Sequence, residues 1–351
     1  MPTSHPTPPS VDPALATTLA AVVDEGTFEA AADALHITPS AVSQRIKLLE
    51  KQLGQRLVVR ANPVRTTRAG RAVVRYARLH GLLEAETLTE LGLDTPEVSP
   101  TLPIAVNADS MATWFIDAIA TFTRAHHARI ELLREDQGAT TRLLRAGTAV
   151  AAVTSSPDPA PGCTVTPLGE LAYTAVASRA WWDRWVDPPL TSTAAEAPSP
   201  PGTTGPSTAG PSTERAGTAP RHDIGLLTDE VLGFAPRLDY NREDGLQIAW
   251  LRERGLDPAT LPTHYIPSTH DLVEAVRVGI GWAMLMPHQL PPALLDAPVG
   301  TEVDGLILLG GEPVSTLLYW QIVRTPSTTL DALTNAVLER AHASLVPFPE
   351  R

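Results

Sequence analysis

The stretch that decides the fold lies between residues 28 and 53 and reads FEAAADALHITPSAVSQRIKLLEKQL. Its apolar residues recur with the period of an α-helix in two separate registers, which predicts two amphipathic helices. The first register holds Phe28, Ala31, Ala32 and Leu35, and the second holds Val42, Ile46, Leu49 and Leu53. Thr38 is placed to cap the second helix, and Pro39 occupies its first turn, where a missing N–H costs nothing. The pattern therefore predicts a helix-turn-helix whose second helix begins near residue 39.

The exposed side of this second helix is polar. At about 100° per residue, Ser40, Gln44 and Lys47 fall opposite the buried stripe, and Ser43 lies beside them. The N-terminal turns of a recognition helix meet base edges in the DNA major groove, where Gln pairs with adenine and Ser with several bases. The alternative interpretation is an ordinary solvated helix face.

The charge distribution favours DNA over a solvated face. Between Ser43 and His80 the chain has ten Lys or Arg and one acid, Glu50, although the whole chain has a formal net charge of −12. Cationic charge gathered into one region is what phosphate binding requires. We predict an interface with double-stranded DNA made by Thr38, Pro39, Ser40, Ser43, Gln44, Arg45, Lys47, Arg60 and Arg65.

The flanking segments complete this module. An earlier amphipathic helix containing Leu15, Leu19 and Val22 supplies a third core helix, and residues 57–66 predict a small β-wing that carries Arg60 and Arg65. From about Thr67 to Leu91 the chain has no proline and predicts one long helix. Within it a seam repeats at the 3.5-residue spacing of paired helices: Ala72, Tyr76, Leu79 and Leu83. The seam is either a dimer contact or a surface packed within one subunit.

Beyond a predicted hinge at residues 94–100, the sequence predicts strands and helices in alternation. Strands are predicted at 104–106, 129–134 and 150–153, with helices at 111–123 and 140–146. Such βαβ alternation indicates a parallel sheet with helices on both faces. The fold class is therefore α/β, with an N-terminal all-α winged helix-turn-helix. Residues 188–221 are rich in Pro, Ser, Thr and Gly and predict a disordered insertion.

Polar residues follow the predicted strands at the edge where ligands bind in α/β sheets. Asn107, Asp109 and Ser110 lie between a strand and a helix, where an amino acid carboxylate can bind at the helix N-terminus. The alternative is that Asp109 or Ser110 merely caps the helix. Glu135 and Asp136 follow the next strand and form either a solvated acidic loop or the counterpart of a cationic ligand. Ser155 and Thr269 complete the predicted ligand set.

Other classes of protein receive little support. The single Cys163 excludes an internal disulfide, and the chain lacks the Cys/His clustering of a metal site. No signal peptide pattern and no apolar run of about 18 residues is found, so we expect a cytoplasmic protein without membrane contact. No recognisable catalytic motif combines a nucleophile, a general base and a residue that orients the base. Neither an enzyme nor a cofactor is therefore predicted. A DNA-binding region followed by a predicted ligand site indicates a ligand-gated regulator. The alternative is an architectural DNA-binding protein that acts in chromosome organisation or replication without ligand gating.

The N-terminal residues resemble the LysR-type transcriptional regulators. The similarity covers about residues 12–92, and further matches in both domains resemble the lysine- and arginine-responsive LysG and ArgP subgroup. The first set is Gly26-Thr27-Phe28, Ala31-Ala32, Leu35, Ser40-Ala41-Val42-Ser43, Ile46, Leu49-Glu50, Leu53-Gly54, Leu57, Arg60, Thr67 and Ala69-Gly70. The second set is 41–47, 105–110, 112–114, Glu135-Asp136 and Leu318-Tyr319-Trp320.

The resemblance implies a homodimer or homotetramer that binds DNA, senses a basic amino acid and controls an adjacent exporter gene, with RNA polymerase as a further partner. It also implies a two-lobed effector domain like the periplasmic binding proteins. The predicted boundaries are 1–66 for the DNA-binding domain, 67–92 for the linker helix, 98–170 and 268–351 for effector lobe 1, and 171–267 for lobe 2.

Overall fold

The computed structural model describes residues 10–59, 61–93, 99–134, 140–186 and 229–348. Arg60, Glu135, Asp136 and the predicted insertion at 188–221 lie outside these ranges. The chain divides into two compact units, one made of Met1–Leu171 and Ser315–Arg351 and the other of Ala172–Val314. Within the described ranges, none of the helices combines the length and hydropathy that a membrane span requires.

The first unit begins with the predicted helix-turn-helix. Its helices are α1 (Pro13–Asp24), α2 (Phe28–Ala34) and α3 (Pro39–Leu53). Each begins at a side-chain cap, because Asp12, Thr27 and Thr38 accept N–H groups of the following first turns. The buried stripe of α3 consists of Val42, Ile46 and Leu49, which pack into one core with α1 and α2. The predicted start of the second helix is confirmed.

A two-stranded wing and a long helix follow. Strands β1 (Val58–Val59) and β2 (Arg65–Thr66) pair antiparallel, and α4 (Arg68–Glu90) begins at its cap Thr67. Gly70 lies in the first turn of α4, where an added methyl group would overlap the carbonyl oxygen of Leu57. This close approach packs α4 directly against the strand that leads into the wing.

The rest of the first unit is an α/β layer. Its strands are β3 (Thr101–Val106), β4 (Arg129–Arg134), β5 (Ala151–Thr154) and parts of β6 (Cys163–Ser178) and β12 (Val314–Val323). Its helices are α5 (Ala108–Ser110), a π-helical turn (Met111–Phe115), α6 (Ile116–Ala125), α7 (Thr140–Ala146) and α13 (Thr328–Ser344). β3 is parallel to β4 and β5, but β12 runs antiparallel to β5. The parallel pairing predicted from the βαβ alternation is therefore confirmed for β3, β4 and β5, and β12, which returns from the second unit, adds an antiparallel strand.

The second unit has its own strands around the later part of β6. Its strands are β7 (Arg237–Asp239), β8 (Thr263–Tyr265), β9 (Ala283–Leu285), β10 (Glu302–Val303) and β11 (Leu306–Leu308). Its helices are α8 (Arg179–Trp185), α9 (Asp229–Leu232), α10 (Leu246–Glu253), α11 (Thr269–Arg277) and α12 (Pro292–Leu295), with 3₁₀ turns at Pro258–Thr260 and Pro287–Gln289. β9 and β11 both pair antiparallel with β6.

The first unit resumes at Ser315. Strand β9 pairs with Thr174–Val176, a part of β6 that belongs to the second unit. Strand pairing of this kind is not encoded in the local pattern of residues 268–286. The boundary at residue 268 between the two predicted effector lobes stays a prediction.

Candidate DNA interface and effector site

The polar face of α3 is open to solvent. Ser40, Gln44 and Lys47 are exposed, and Ser43 beside them is half-buried. Thr38 accepts the N–H of Ala41 at 3.2 Å, and Pro39 follows it as the first residue of the helix. Because Thr38 caps the helix, α3 is regular from its first residue, Pro39. The first turns of α3 present hydroxyl and amide groups of the kind that read base edges.

Arg45 differs from the other predicted DNA-binding residues. Its side chain is half-buried and turns back to α1, where Nη1 donates to Oγ1 of Thr18 at 3.3 Å. The sequence analysis included Arg45 as one of the cations clustered between Ser43 and His80. The contact with Thr18, 27 positions away, turns part of its side chain away from the exposed face, and its role in DNA binding stays a prediction.

A groove separates α3 from the wing. It has a volume of about 390 Å³, and Pro39 and Ser43 line it on the side of α3. On the other side its wall is the wing turn at Ala61, Asn62 and Val64. The N–H of Val64 donates to the carbonyl oxygen of Gly26 at 2.8 Å and ties the wing to the turn before α2. Arg65 is exposed on β2 beside this turn, where it can meet a phosphate.

Only part of the cationic stretch faces outward in the described chain. Exposed side chains are Lys47, Lys51, Arg56, Arg65 and Arg68. Arg75 and Arg78 instead donate to backbone carbonyls of the α/β layer in the same unit. The charge count from sequence therefore overstates the positive charge available to DNA.

The predicted ligand residues of the first unit converge at one sheet edge. β3 ends at Val106, which lies opposite Arg134 at the end of β4, and β5 runs in the same direction and ends at Thr154. Asn107 and Ser155 therefore follow neighbouring parallel strands. Glu135 and Asp136 lie outside the described residues. Thr269 is the first residue of α11 in the second unit.

Buried polar atoms mark this edge. Asn107 is 2% exposed and Ser110 is fully buried, and among the described residues neither side chain has a hydrogen-bond partner. Buried amide and hydroxyl groups without partners are costly, so such a position favours a ligand or an ordered water. Asn107 stands at the N-cap of the helical run but makes no side-chain cap bond.

One residue at this edge was not among the predicted site residues. Trp114 lies in the π-helical turn, four positions after Ser110, and is 1% exposed. Its indole Nε1 also has no partner within the described part of the chain. π-helical turns are frequent at functional sites. In the sequence Trp114 counted only as part of the 112–114 match to the LysG and ArgP subgroup, because a buried tryptophan is ordinarily a core residue.

Three faces of the linker helix α4 have different surroundings. Gly70, Val73, Val74 and Ala77 are buried, and all but Gly70 belong to the core that α1 also joins. The predicted seam is open, with Ala72 exposed, Tyr76 37% exposed, Leu79 half-buried and Leu83 40% exposed. The remaining face carries Arg75, Arg78 and Glu86, which contact the α/β layer. Within the same subunit, the hydroxyl of Tyr76 donates to the carbonyl oxygen of Val11 at 3.5 Å and Leu79 is half-buried. The dimer contact therefore stays a prediction.

Two carboxyl groups have shifted pKa values: that of Asp24, which contacts Arg78 of α4, and that of Glu86, which belongs to α4. Burial raises the pKa of Asp24, and the guanidinium of Arg78 offsets part of that effect. Burial also acts to raise the pKa of Glu86, but hydrogen bonds from Ser327, Thr329 and Thr328 outweigh it and lower the pKa overall. Oε1 of Glu86 accepts the Ser327 hydroxyl at 2.6 Å and the Thr329 N–H at 2.8 Å.

The fold and the exposed recognition helix define a winged helix-turn-helix transcription regulator. Residues 14–71 match the bacterial regulatory helix-turn-helix protein family named after LysR. The chain is 38% identical to the HTH-type transcriptional regulator LysG of Mycobacterium tuberculosis, over 96% of this chain and 95% of that one. The chain therefore belongs to the LysR family of transcriptional regulators, which are not enzymes.

Two further comparisons concern a protein of Corynebacterium glutamicum. The lysine export transcriptional regulatory protein LysG is 34% identical over 94% of this chain and 98% of that one. The structure of full-length LysG from the same organism with bound effector Arg matches with a TM-score of 0.66 and 32% identity, covering 96% of this chain and all of the other. The likeness extends over the whole chain, so it includes the α/β units as well as the helix-turn-helix.

Proposed function

We propose that this regulator senses a basic amino acid, lysine or arginine, and controls the gene of an amino acid exporter. The observation that carries the effector assignment is the set of buried, unpartnered polar atoms of Asn107 and Ser110 at the ends of the parallel strands. The likeness to a lysine export regulator, and to a structure holding arginine as its effector, supports the ligand class and the regulon.

In this proposal the α-carboxylate of the ligand occupies the N-terminus of the helical run that begins at Ala108. The backbone N–H groups there carry partial positive charge, and the side chains of Asn107 and Ser110 supply an amide and a hydroxyl. Asp109 and Ser155 border the same position, and Glu135 and Asp136 supply the negative charge that a guanidinium or ammonium group requires. The predicted ligand set also includes Thr269, the first residue of α11.

DNA is read by Ser40, Ser43 and Gln44 at the start of α3, with Thr38 and Pro39 setting its first turn. Lys47, Arg60 and Arg65 contact phosphates. Two copies of the chain pair through the seam of α4, which places two recognition helices on successive half-sites. A tetramer and contact with RNA polymerase extend the same arrangement. The proposed domain limits are 1–66 for the DNA-binding domain and 67–92 for the linker helix.

A thermal-shift screen of the full-length protein against the twenty amino acids tests the effector. Because a ligand that binds only the native state stabilises it by RT ln(1 + [L]/Kd), saturating lysine or arginine is expected to raise the melting temperature. Ser110→Ala should abolish the rise, and Ser156→Ala serves as a nearby control. No response to either amino acid would refute the effector assignment.

Footprinting separates regulation from an architectural role. A single protected operator beside a transporter gene, with occupancy that changes on ligand addition, is expected for the regulator. Broad A·T-rich protection that ignores the ligand would instead support the architectural protein.

Sedimentation velocity tests the dimer seam. Leu83→Glu places a charge on the exposed seam of α4 and should yield monomers, whereas Leu91→Glu, at a position that is 64% exposed at the end of the helix, should remain dimeric. An unchanged dimer for Leu83→Glu would place the contact elsewhere.

A further inference from the structure

One stripe of the linker helix is fastened to the α/β layer of its own subunit. Arg71, Arg75, Arg78 and Glu86 follow one another at i, i+4, i+7 and i+15, which keeps them on one helix face. Nη1 of Arg75 donates to the carbonyl oxygen of Pro161 at 3.3 Å, and Glu86 accepts two groups at the start of α13. The stripe is separate from the seam that holds Tyr76 and Leu83.

Arg78 makes the central contact of this stripe. Nη1 donates to the carbonyl oxygen of Gly147 at 2.8 Å and to that of Thr148, and Nη2 donates to the carboxylate of Asp24. Its side chain is only 10% exposed. Asp24, whose side chain is 43% exposed, is the last residue of α1, and the buried residues of α1 belong to the core of the DNA-binding domain. A single guanidinium therefore joins the helix-turn-helix, the linker helix and the loop after α7.

The loop after α7 is shaped for this approach. Gly147 has φ +70°, and an added methyl group would lie 3.0 Å from the carbonyl oxygen of Arg71. Only glycine adopts such a backbone without strain while letting α4 come this close. The loop is also closed on its own helix, since the N–H of Thr148 donates to the carbonyl oxygen of Leu143 at 2.9 Å.

The other end of α7 reaches the proposed effector edge. Thr141, its second residue, shares a hydrogen bond of 3.0 Å between hydroxyl oxygens with Thr154, the last residue of β5. Both side chains are buried. α7 has seven residues and so spans about 10 Å as a rigid element at 1.5 Å per residue. Its first turn thus contacts the strand terminus beside Ser155, and the loop that follows its last residue contacts the guanidinium of Arg78.

We propose that Arg78 is a positioning residue that couples the effector edge of the sheet to the DNA-binding domain through α7. This inference rests on the proposed function for the identity of the ligand. A displacement of Thr154 moves α7, and the Gly147 and Thr148 carbonyls carry that displacement to Arg78. Because Arg78 also holds Asp24, the end of α1 moves with it. The ligand can change the affinity for DNA only if contacts differ between the ligand-free and the ligand-bound protein. Arg78 joins the contacts from the loop after α7 to the contact with α1.

The test uses full-length wild type and Arg78→Ala, a DNA duplex selected from genomic fragments by the wild type, and L-arginine or L-lysine. Calorimetry gives the affinity for the amino acid, and fluorescence anisotropy gives the affinity for DNA with and without it. Allosteric effects on affinity are typically about 5- to 150-fold. We expect Arg78→Ala to bind the amino acid as the wild type does but to reduce the ligand-induced change in DNA affinity to about onefold. Arg124→Ala, which removes an exposed charge from α6, should retain the full change.

A second variant guards against a folding defect. Asp24→Asn keeps Arg78 and its two carbonyl contacts but removes the charged acceptor on α1, and it should lose most of the coupling. A wild-type response in both Arg78→Ala and Asp24→Asn would overturn the proposal.

Hydrogen exchange makes the test independent of the ligand. If the wild type responds to neither amino acid, the effector assignment fails, and the coupling is then judged by the amides of residues 143–148. DNA binding should change their exchange in the wild type and leave it unchanged in Arg78→Ala. No change in the wild type would refute the role of Arg78, whatever the effector is.

Discussion

Oε1 of Glu50 accepts the backbone N–H of Leu57 at 2.8 Å, and that of Val58 at 3.5 Å. Glu50 is the single acid between Ser43 and His80, and it lies on the recognition helix. Its carboxylate is thus turned toward the start of the wing. The contact fixes the wing to α3 and satisfies a buried N–H group.

Replacing Glu50 should therefore loosen the wing. Glu50→Ala leaves the Leu57 N–H without its charged acceptor, so the free energy of unfolding should fall by about 1–3 kcal/mol. Urea unfolding of the full-length protein measures this loss. Asp33→Ala, which removes an exposed acid from α2, should stay near wild type. Equal stability of Glu50→Ala and Asp33→Ala would contradict the role of the contact.

Two glycines of α4 should respond in opposite directions to the same change. Gly70→Ala forces a methyl group against the Leu57 carbonyl and should cost about 1–3 kcal/mol of unfolding free energy. Gly81 has nothing within 4 Å of an added methyl group, so Gly81→Ala should stabilise the helix by about 0.5–1 kcal/mol. Thermal unfolding of the two variants side by side gives the comparison, and a shift of the same sign in both would disprove it.

Substitutions of base-reading residues and of phosphate-binding residues should change the affinity for DNA in different ways. Gln44→Ala should cost about 1–3 kcal/mol at the cognate site and relax its base preference, because Gln44 stands on the exposed face of α3. Arg60→Ala and Arg65→Ala should instead weaken all sequences similarly and reduce the salt slope by about 1. Anisotropy titrations at several salt concentrations resolve the two effects. Equal losses on cognate and random DNA for Gln44→Ala would rule out base reading.

The lowered pKa of Glu86 predicts a pH-dependent contribution to stability. In the unfolded chain this carboxyl titrates near its ordinary value of 4.5, and in the folded protein it titrates lower. Its contribution is therefore fully present above the unfolded value and is lost as the pH falls through the folded value. Glu86→Gln should be less stable than wild type at neutral pH, and the difference should vanish in acid.

Denaturant unfolding from about pH 7 down to about pH 3 follows that difference, within the usual acid range of carboxylate titration. Glu90→Gln, an exposed acid near the end of the same helix, provides the matched control and should show no such trend. A gap between wild type and Glu86→Gln that persists at the acid end would exclude the hydrogen bonds to Ser327 and Thr329 as its cause.

The helix-turn-helix was predictable because its signals are local. The apolar spacing of Val42, Ile46 and Leu49 and the caps at Thr27 and Thr38 lie within a few residues of the turns they define. The starts of α3 and α4 follow from the same kind of signal. Residues 129–134 and 140–146 likewise form the strand and helix that the sequence predicts.

What the sequence did not reveal depends on contacts between distant segments. The contact between Arg45 and the hydroxyl of Thr18 is one example, because no residue near Arg45 in the sequence indicates it. The direction of β12 and the placement of β9 depend on pairing with β5 and β6, which no local period encodes. Arg78 read as one more cation in a basic run, since its carbonyl partners lie about seventy positions away.

The three faces of α4 limit how its length can vary. One face is buried against the DNA-binding domain, one is fastened to the α/β layer, and one carries the seam through which we propose that a second subunit pairs. Inserting a single residue rotates everything beyond it by about 100°, which exchanges one face for another. Seven inserted residues nearly restore the rotation but add about 10 Å of axial offset. The angular order of the three surfaces is therefore a property of the helix register, and related chains that diverge freely elsewhere should conserve the number of residues between Gly70 and Glu86.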